Sequence, residues 1–326
     1  MSIVATRRAL LGLAGAASLS AAMAGAVRAE GGSSTASAGP GFANGTPVSI
    51  GAAALRVLRR DTMTAFYRDA IGLSLLAEAD GRSVLGVDGI PLLTLIDAPD
   101  ASFEPPTQAG LFHIAFLMPE RRDLAQWLVH AAYTRVPLSG FADHNVSEAV
   151  YLDDPEGNGL EIYADRPADR WEWKDGVVTM GTHQLDMDAI LDLTTTERDT
   201  YRGAPAGLRI GHIHLRVGDI PAGRGFYEKA LGLASTRGDR RDAAFLSSGG
   251  YHHHVALNVW NSAGAGRRDP RSTGLDWFSL RVREAAIVEA QSARLAAGGL
   301  AVTPVENGVE ALDPWGTRVR LLSGAA

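Results

Sequence analysis

Hydrophobic and polar residues alternate in short stretches along most of the chain, and the same arrangement occurs four times. Each block predicts a strand of alternating residues, an amphipathic helix that ends at a glycine, and then further strands. In the first and third blocks the helix carries Phe66-Tyr67 and Phe226-Tyr227, which lie 160 residues apart. Gly72-Leu73 and Gly232-Leu233 have the same offset. The chain therefore contains an internal repeat.

A second repeat relates the other two blocks. Gly110-Leu111 corresponds to Gly274-Leu275, and each of these blocks ends in a DPxG turn that begins at Asp154 or Asp313 and precedes a strand. We predict an α+β protein made of four βαβββ modules. They lie near residues 48–100, 108–166, 208–262 and 272–323.

The modules group into two predicted sequential domains, residues 48–166 and 208–326. The polar stretch between them, residues 167–207, is predicted to be an interdomain connection.

The first 29 residues do not fit this modular pattern. Arg7-Arg8 precedes an uncharged run that continues to Val27, and small residues at Val27 and Ala29 suit a signal peptidase. We predict a twin-arginine secretory signal over residues 1–29, a flexible linker over residues 30–47 and a periplasmic location. An uncleaved anchor is the alternative, because the run approaches membrane-spanning length. Its low hydrophobicity favours cleavage, after which we expect no membrane span.

Composition narrows the chemistry further. The chain has no cysteine, so any transition metal must be held by His, Asp or Glu. All nine histidines lie between His113 and His254. The net charge of −6 argues against nucleic acid as a partner and favours a small-molecule ligand.

The paired βαβββ modules resemble the vicinal oxygen chelate superfamily, in which two modules curl into one half-open barrel around a metal. The resemblance implies that the four modules form two half-open barrels. It also implies three metal ligands, because His113, Glu161 and His212 stand at the family's ligand positions on first and last strands. Two imidazoles and one carboxylate form the facial triad typical of non-haem Fe(II), with Mn(II) as the alternative metal.

The repeat offers an internal control for these ligands. Four counterparts in modules one and four have no metal-binding side chain: Ala52 for His212, Leu93 for His253, Trp277 for His113 and Arg320 for Glu161. Neither sequential pair of modules holds a complete triad. We predict that modules two and three form the metal barrel and that modules one and four form a barrel without metal. A homo-oligomer that pairs the modules of two chains is the alternative.

Residues 142–161 narrow the predicted reaction. They resemble the signature of type I extradiol dioxygenases at six positions, with Ala142 as a departure: His144, Tyr151, Asp154, Pro155, Gly157 and Glu161. The stretch from Tyr251 to Trp260 resembles the family's strand that carries an acid–base histidine, which maps onto His253. Strand alternation would turn His253 away from the faces of its two histidine neighbours. The resemblance thus implies catalytic roles for His253, Tyr151 and His144.

Taken together, the chain most resembles the two-domain catechol 2,3-dioxygenase group. The resemblance implies an Fe(II) enzyme of aromatic degradation that cleaves a catechol-type substrate with O₂. A glyoxalase-type metal-dependent lyase or isomerase and a non-catalytic small-molecule-binding protein are the alternatives. A glyoxalase-type enzyme has no use for Tyr151, His144 and His253 together, and a binding protein would not need a metal triad. We further expect His214 to face away from the metal and His130 to lie on the surface, and His183 receives no function.

Overall fold

The computed structural model describes residues 42–237 and 240–324. The predicted secretory signal and residues 30–41 of the predicted linker lie outside the described residues. The last part of the linker is structured, which corrects the sequence prediction: Phe42–Gly45 form a 3₁₀ helix. The Phe42 ring packs 5.6 Å from that of Trp171 and 5.9 Å from that of Tyr251. Among the described residues, we find no helix with the length and apolarity needed to cross a membrane.

Each module has the predicted order of one strand, one helix and three strands. Module one contains β1 (Val48–Val57), α1 (Arg60–Phe66), β2 (Ser74–Ala79), β3 (Arg82–Val87) and β4 (Ile90–Asp97). Module two contains β5 (Gly110–Met118), α2 (Arg121–Thr134), β6 (Gly140–Asp143), β7 (Ser147–Asp153) and β8 (Gly159–Asp165). The connection after it contains β9 (Trp173–Lys174), β10 (Val177–Val178) and α3 (Met187–Leu191).

The second half of the chain repeats this order. Module three contains β11 (Arg209–Arg216), α4 (Ile220–Arg224), β12 (Ala234–Arg237), β13 (Ala243–Ser247) and β14 (Val255–Asn258). Module four contains β15 (Gly274–Val282), α5 (Ala285–Ala297), β16 (Val302–Val305), β17 (Gly308–Leu312) and β18 (Arg318–Ser323). In modules one and three the helix runs on into a π-helical turn, at Tyr67–Ile71 and Gly225–Ala230.

The strands form two curled sheets, and each sheet takes one module from each half of the chain. One sheet has the order β12-β13-β14-β11-β5-β8-β7-β6, which joins modules two and three. The other has the order β16-β17-β18-β15-β1-β4-β3-β2, which joins modules one and four. At the two junctions β5 pairs antiparallel with β11, and β1 pairs antiparallel with β15. The predicted pairing is confirmed, and it occurs within a single chain.

Consecutive modules are held together by a tyrosine and an aspartate that recur in the repeat. The hydroxyl of Tyr67 donates to Asp154 over 2.9 Å, and that of Tyr227 donates to Asp313 over 3.0 Å. Asp154 also accepts from the backbone of Glu156 and Asn158, which closes the turn before β8. Burial raises the pKa of Asp154 to about 6. The repeated FY and DP sequences therefore have a structural function.

The strand register changes one of the predicted correspondences. Ala53 of β1 pairs with Leu93, whereas its counterpart Ile213 of β11 pairs with Val255. The offset between modules one and three is thus 162 residues in their last strands instead of 160. The counterpart of His253 is therefore Pro91, which corrects Leu93, and it also has no metal-binding side chain.

Candidate metal centre

The junction between β5 and β11 brings three strands into the register that a metal site requires. Ala115 on β5 pairs with His212 on one side and with Glu161 of β8 on the other. His113 lies two residues before Ala115, so that it projects from the same face of the sheet. The small alanine side chain leaves the centre of this group open. Strand pairing thus gathers residues that lie as many as 99 positions apart in the chain.

A bulge in β11 allows His212 to take its place. The register with β5 shifts between Ile210 and His212. Gly211 lies at this shift, and a Cβ atom there would come within 1.8 Å of the Tyr163 hydroxyl. Only glycine fits beside that buried tyrosine, so the position of His212 depends on a residue without a side chain.

The three side chains form a tight triangle of potential ligand atoms. Glu161 Oε2 lies 3.1 Å from His113 Nε2 and 3.3 Å from His212 Nε2, and the two imidazole nitrogens are 3.3 Å apart. Ligands on one face of an octahedron with bonds of about 2.1 Å would lie about 3.0 Å apart. The donor set and its spacing therefore fit a divalent transition metal. Among the described residues this is the one such cluster of His, Cys, Asp or Glu.

The ionisation of the three groups also suits a metal. Burial acts to raise the pKa of Glu161, but the imidazoles of His212 and His113 outweigh burial and hold that pKa well below its usual range. Burial lowers the pKa of His212 to about 4. An ionised carboxylate and a neutral imidazole are the forms that coordinate a cation.

The triad lies in the wall of a cavity of about 320 Å³. Tyr151 and His144 lie on the same wall, and they contact each other over 2.7 Å through the Tyr151 hydroxyl and His144 Nε2. The other ring nitrogen of His144 donates to the Gly181 carbonyl over 2.7 Å, so Nε2 must accept from the tyrosine. Burial, with the nearby charge of Glu161, raises the pKa of Tyr151 well above its ordinary value. Tyr151 is therefore a protonated hydrogen-bond donor.

The structure separates the three consecutive histidines by their surroundings. His253 lines the cavity, and its ring centroid is 4.1 Å from that of His212. His254 is buried and bonds Ser247 and the Ala43 carbonyl. The expected strand alternation is wrong here, because the three residues precede β14, and the rings of His252 and His253 contact each other.

The cavity also has walls that the sequence did not predict. Met180, Gly181 and Thr182 line it, although they belong to the segment predicted to be a simple connection. Their contribution depends on pairing with the end of β6, where Asp143 forms a bridge with His183. The remaining lining residues come from several strands and loops: Phe112, Val146, Ser147, Arg237, Arg240, Phe245 and Trp260.

Two expectations about other histidines need correction. His214 does not face away from the metal site: its ring lies 4.8 Å from that of His113, and it lines the cavity. Residues two apart on a strand share a face, so His214 follows His212. His130 is largely buried, and its two ring nitrogens contact Asp199 and the Asp69 carbonyl, each over 2.8 Å.

Different side chains occupy the matching positions of the other barrel. The Arg320 guanidinium lies 4.2 Å from the centre of the Trp277 ring, and its Nε donates to Glu310 over 2.8 Å. Strand register makes these residues the counterparts of Glu161, His113 and Tyr151 respectively. In the second barrel the positively charged side chain of Arg320 thus lies at the position that corresponds to Glu161.

Comparisons with known proteins agree with this architecture. A Bacillus subtilis (strain 168) protein named catechol-2,3-dioxygenase is 33% identical over 271 residues, which is 81% of this chain and 93% of that protein. A solved structure of a provisionally named dioxygenase from Bacillus subtilis has a TM-score of 0.58 at 17% identity, over 86% of each chain. Glyoxalase I from Zea mays has a TM-score of 0.51 at 17% identity, over 86% of this chain and 94% of that one.

These two structures show the shared fold, and the predicted α+β half-barrel architecture is confirmed. The sequence profile of one family matches residues 49–162 and 209–321, which together cover most of the chain. This protein belongs to the Glyoxalase/Bleomycin resistance protein/Dioxygenase superfamily.

Proposed function

We propose that this protein is an extradiol dioxygenase that opens the ring of a catechol-type substrate with O₂. The observation that carries the proposal is the single cavity wall shared by the His113, His212 and Glu161 cluster, the Tyr151–His144 pair and His253. The similarity to a protein named catechol-2,3-dioxygenase over nearly its whole length supports it. In this proposal the cluster holds Fe(II), with Mn(II) as the alternative metal.

The ligand set determines which substrate form the site favours. Fe(II) bound to the cluster supplies a Lewis acid for two adjacent diol oxygens and the redox chemistry that O₂ requires. His113, His212 and Glu161 would hold the metal at the cavity wall, and the cavity would leave room beside it for substrate and O₂. The single carboxylate of Glu161 leaves the centre with a net positive charge. That charge favours a deprotonated diol over a neutral one.

Tyr151 and His144 then act on the substrate as a unit. The His144 ring is held by the Gly181 carbonyl, and it orients the Tyr151 hydroxyl through the 2.7 Å hydrogen bond. Tyr151 stays protonated, and its one hydroxyl proton, which His144 Nε2 accepts in this structure, turns to a negatively charged substrate oxygen and stabilises that charge by a hydrogen bond. His253 lines the same cavity and is the group proposed to move a proton between substrate and oxygen.

A lyase of the glyoxalase type uses the same fold but has no use for this combination of tyrosine and two further histidines. The cavity walls also suit an aromatic ligand, because rings of Phe112, Phe245 and Trp260 lie around it. Flat apolar walls and a few convergent polar groups are typical of small-molecule sites.

Anaerobic reconstitution tests the proposal. The protein is loaded with Fe(II), mixed with catechol and then exposed to air, and O₂ uptake and the yellow ring-opened product are recorded. We expect both signals together, and a parallel Mn(II) preparation identifies the active metal. Arg320→Gln, which changes the matching position of the other barrel, is the control and should retain activity. Metal-loaded protein that takes up no O₂ with any catechol tested would contradict the proposal.

A further inference from the structure

His252 lies directly behind His253, outside the cavity, and its position is tightly constrained. Its side chain is fully buried, with ring centroids 4.0 Å from Tyr251 and 5.1 Å from Trp171. Both of its ring nitrogens have partners. Nε2 lies 2.9 Å from the Asp165 carboxylate, and Nδ1 lies 2.7 Å from Nδ1 of His253. The three side chains thus form a continuous chain of hydrogen bonds that ends at the cavity.

The donors and acceptors of this chain determine where its protons are. A carboxylate only accepts, so the nitrogen of His252 that contacts Asp165 must carry a proton. A neutral imidazole carries only one proton, which leaves Nδ1 of His252 as an acceptor. The proton between the two histidines must therefore belong to Nδ1 of His253. The remaining nitrogen of His253, Nε2, is then unprotonated, and it forms no hydrogen bond within the described part of the chain.

We propose that Asp165 and His252 are positioning residues that hold His253 as the tautomer with a free Nε2 facing the substrate. The inference rests on the proposed function, in which His253 transfers a proton. Nε2 of His253 accepts the proton of a substrate hydroxyl as the O–H bond breaks, and it later returns that proton to an oxygen of the opened ring. While His253 carries the extra proton, the chain to Asp165 places a negative charge opposite it.

The internal repeat shows that the fold itself does not require this arrangement. The counterparts of His252 and Asp165 in the other barrel are Ile90 and Gly324, according to strand register. The barrel without the metal cluster therefore also has no such chain of hydrogen bonds at these positions. This chain of hydrogen bonds from Asp165 through His252 to His253, here called the relay, therefore occurs in the barrel that has the metal cluster and not in the other barrel.

The tautomer can be measured without any catalytic assay. Protein with ¹⁵N-labelled histidine is loaded with diamagnetic Zn(II), and the imidazole ¹⁵N shifts of His253 are assigned by their loss in His253→Gln. We expect protonated Nδ1 and unprotonated Nε2 in the natural protein. In His252→Phe the ring volume is kept but the acceptor is removed, and we expect the proton to move to Nε2. Asp165→Asn, whose amide can donate or accept, should give a mixture.

Kinetics on the Fe(II) protein supply the second measurement. His252→Phe should lower kcat about 10- to 100-fold, because it removes the hydrogen bond that orients His253, with metal content unchanged and KM within about threefold. Tyr251→Phe is the matched control. It removes a different bond to the same Asp165 carboxylate, of 3.2 Å, and should leave both the tautomer and kcat near the natural values.

The outcomes separate this inference from the proposed function. Natural protein in which His253 carries its proton on Nε2, or in which both nitrogens of His252 are protonated, would overturn the relay whatever the activity. An unchanged kcat in a folded His252→Phe variant with a shifted tautomer would also overturn it. If the tautomer is as expected but no catechol is oxidised, the proposed function fails and the proton placement stands.

Discussion

The barrel of modules two and three and the barrel of modules one and four have matching strand orders, but their inner surfaces carry different chemistry. In the first, Glu161 and two histidines converge within hydrogen-bonding distance of one another. In the second, Arg320 stacks on Trp277 and pairs with Glu310. The charge of Arg320 is neutralised by Glu310 within the same barrel. The cluster of His113, Glu161 and His212 instead brings together lone pairs that only a proton or a metal cation can neutralise.

The frame itself is shared, because the same buried bonds recur in both halves of the chain. The Tyr67–Asp154 and Tyr227–Asp313 hydrogen bonds join consecutive modules at equivalent positions. The frame thus persists where the metal ligands do not. His113, Glu161 and His212 are therefore needed for binding and not for folding, since an otherwise similar barrel forms without them.

The largest expected effect separates Glu161 from its counterpart Arg320. Glu161→Gln removes the one negative charge among the three ligands, and we expect loss of bound metal and a fall in activity of more than about 100-fold. Arg320→Gln should leave metal content unchanged. Metal analysis after dialysis, together with O₂ uptake, measures both. If metal binding survives Glu161→Gln but is lost in Arg320→Gln, the metal binds in the barrel of modules one and four, and the predicted site is wrong.

A smaller effect is expected at Tyr151 and its counterpart Glu310. Tyr151→Phe removes the proposed donor to the substrate but no metal-binding side chain, so kcat should fall about 10- to 100-fold while metal content stays the same. Glu310→Gln should change neither, because that residue contacts Arg320 in the other barrel. Steady-state kinetics with metal analysis distinguishes the two. Equal losses of kcat in both variants would show that the barrels are coupled.

The smallest effect tests the shared frame. Tyr67→Phe and Tyr227→Phe each delete one buried hydrogen bond to an aspartate, and each should lower the free energy of unfolding by about 1–2 kcal/mol. Urea unfolding of the two variants measures this directly. We expect similar losses and unchanged kcat. A large loss in only one variant would mean that the two halves, although similar in form, do not depend equally on this bond.

Sequence reasoning identified the modules because strand alternation and helix stops are local patterns. The resemblance to the superfamily implied the candidate ligands His113, Glu161 and His212, and the repeat supported them because it has Trp277, Arg320 and Ala52 at the matching positions. The cross-pairing of modules followed from the same imbalance, since a triad split between sequential pairs can only be completed across them. These inferences needed residue types, spacing and the family resemblance, but no coordinates.

Other features depended on contacts between distant segments. The choice of His253 over its neighbours depends on a loop before β14 and not on strand alternation. The cavity wall at Gly181 and the docking of Phe42 depend on segments that carry no periodic signal. The prediction for His214 was wrong because alternate residues on a strand share a face, so His214 lines the cavity as His212 does.

The four modules, their pairing and the residues able to hold a metal could be predicted before any coordinates, because repeats and residue types can be read directly from the chain. Which histidine faces the cavity, which one lies behind it and which segments enclose it became clear only from contacts in the folded protein. These outcomes depend on hydrogen bonds such as that between His252 and Asp165, whose partners lie 87 residues apart. The energy of such contacts exists only once the sheets have formed, so no local pattern predicts them.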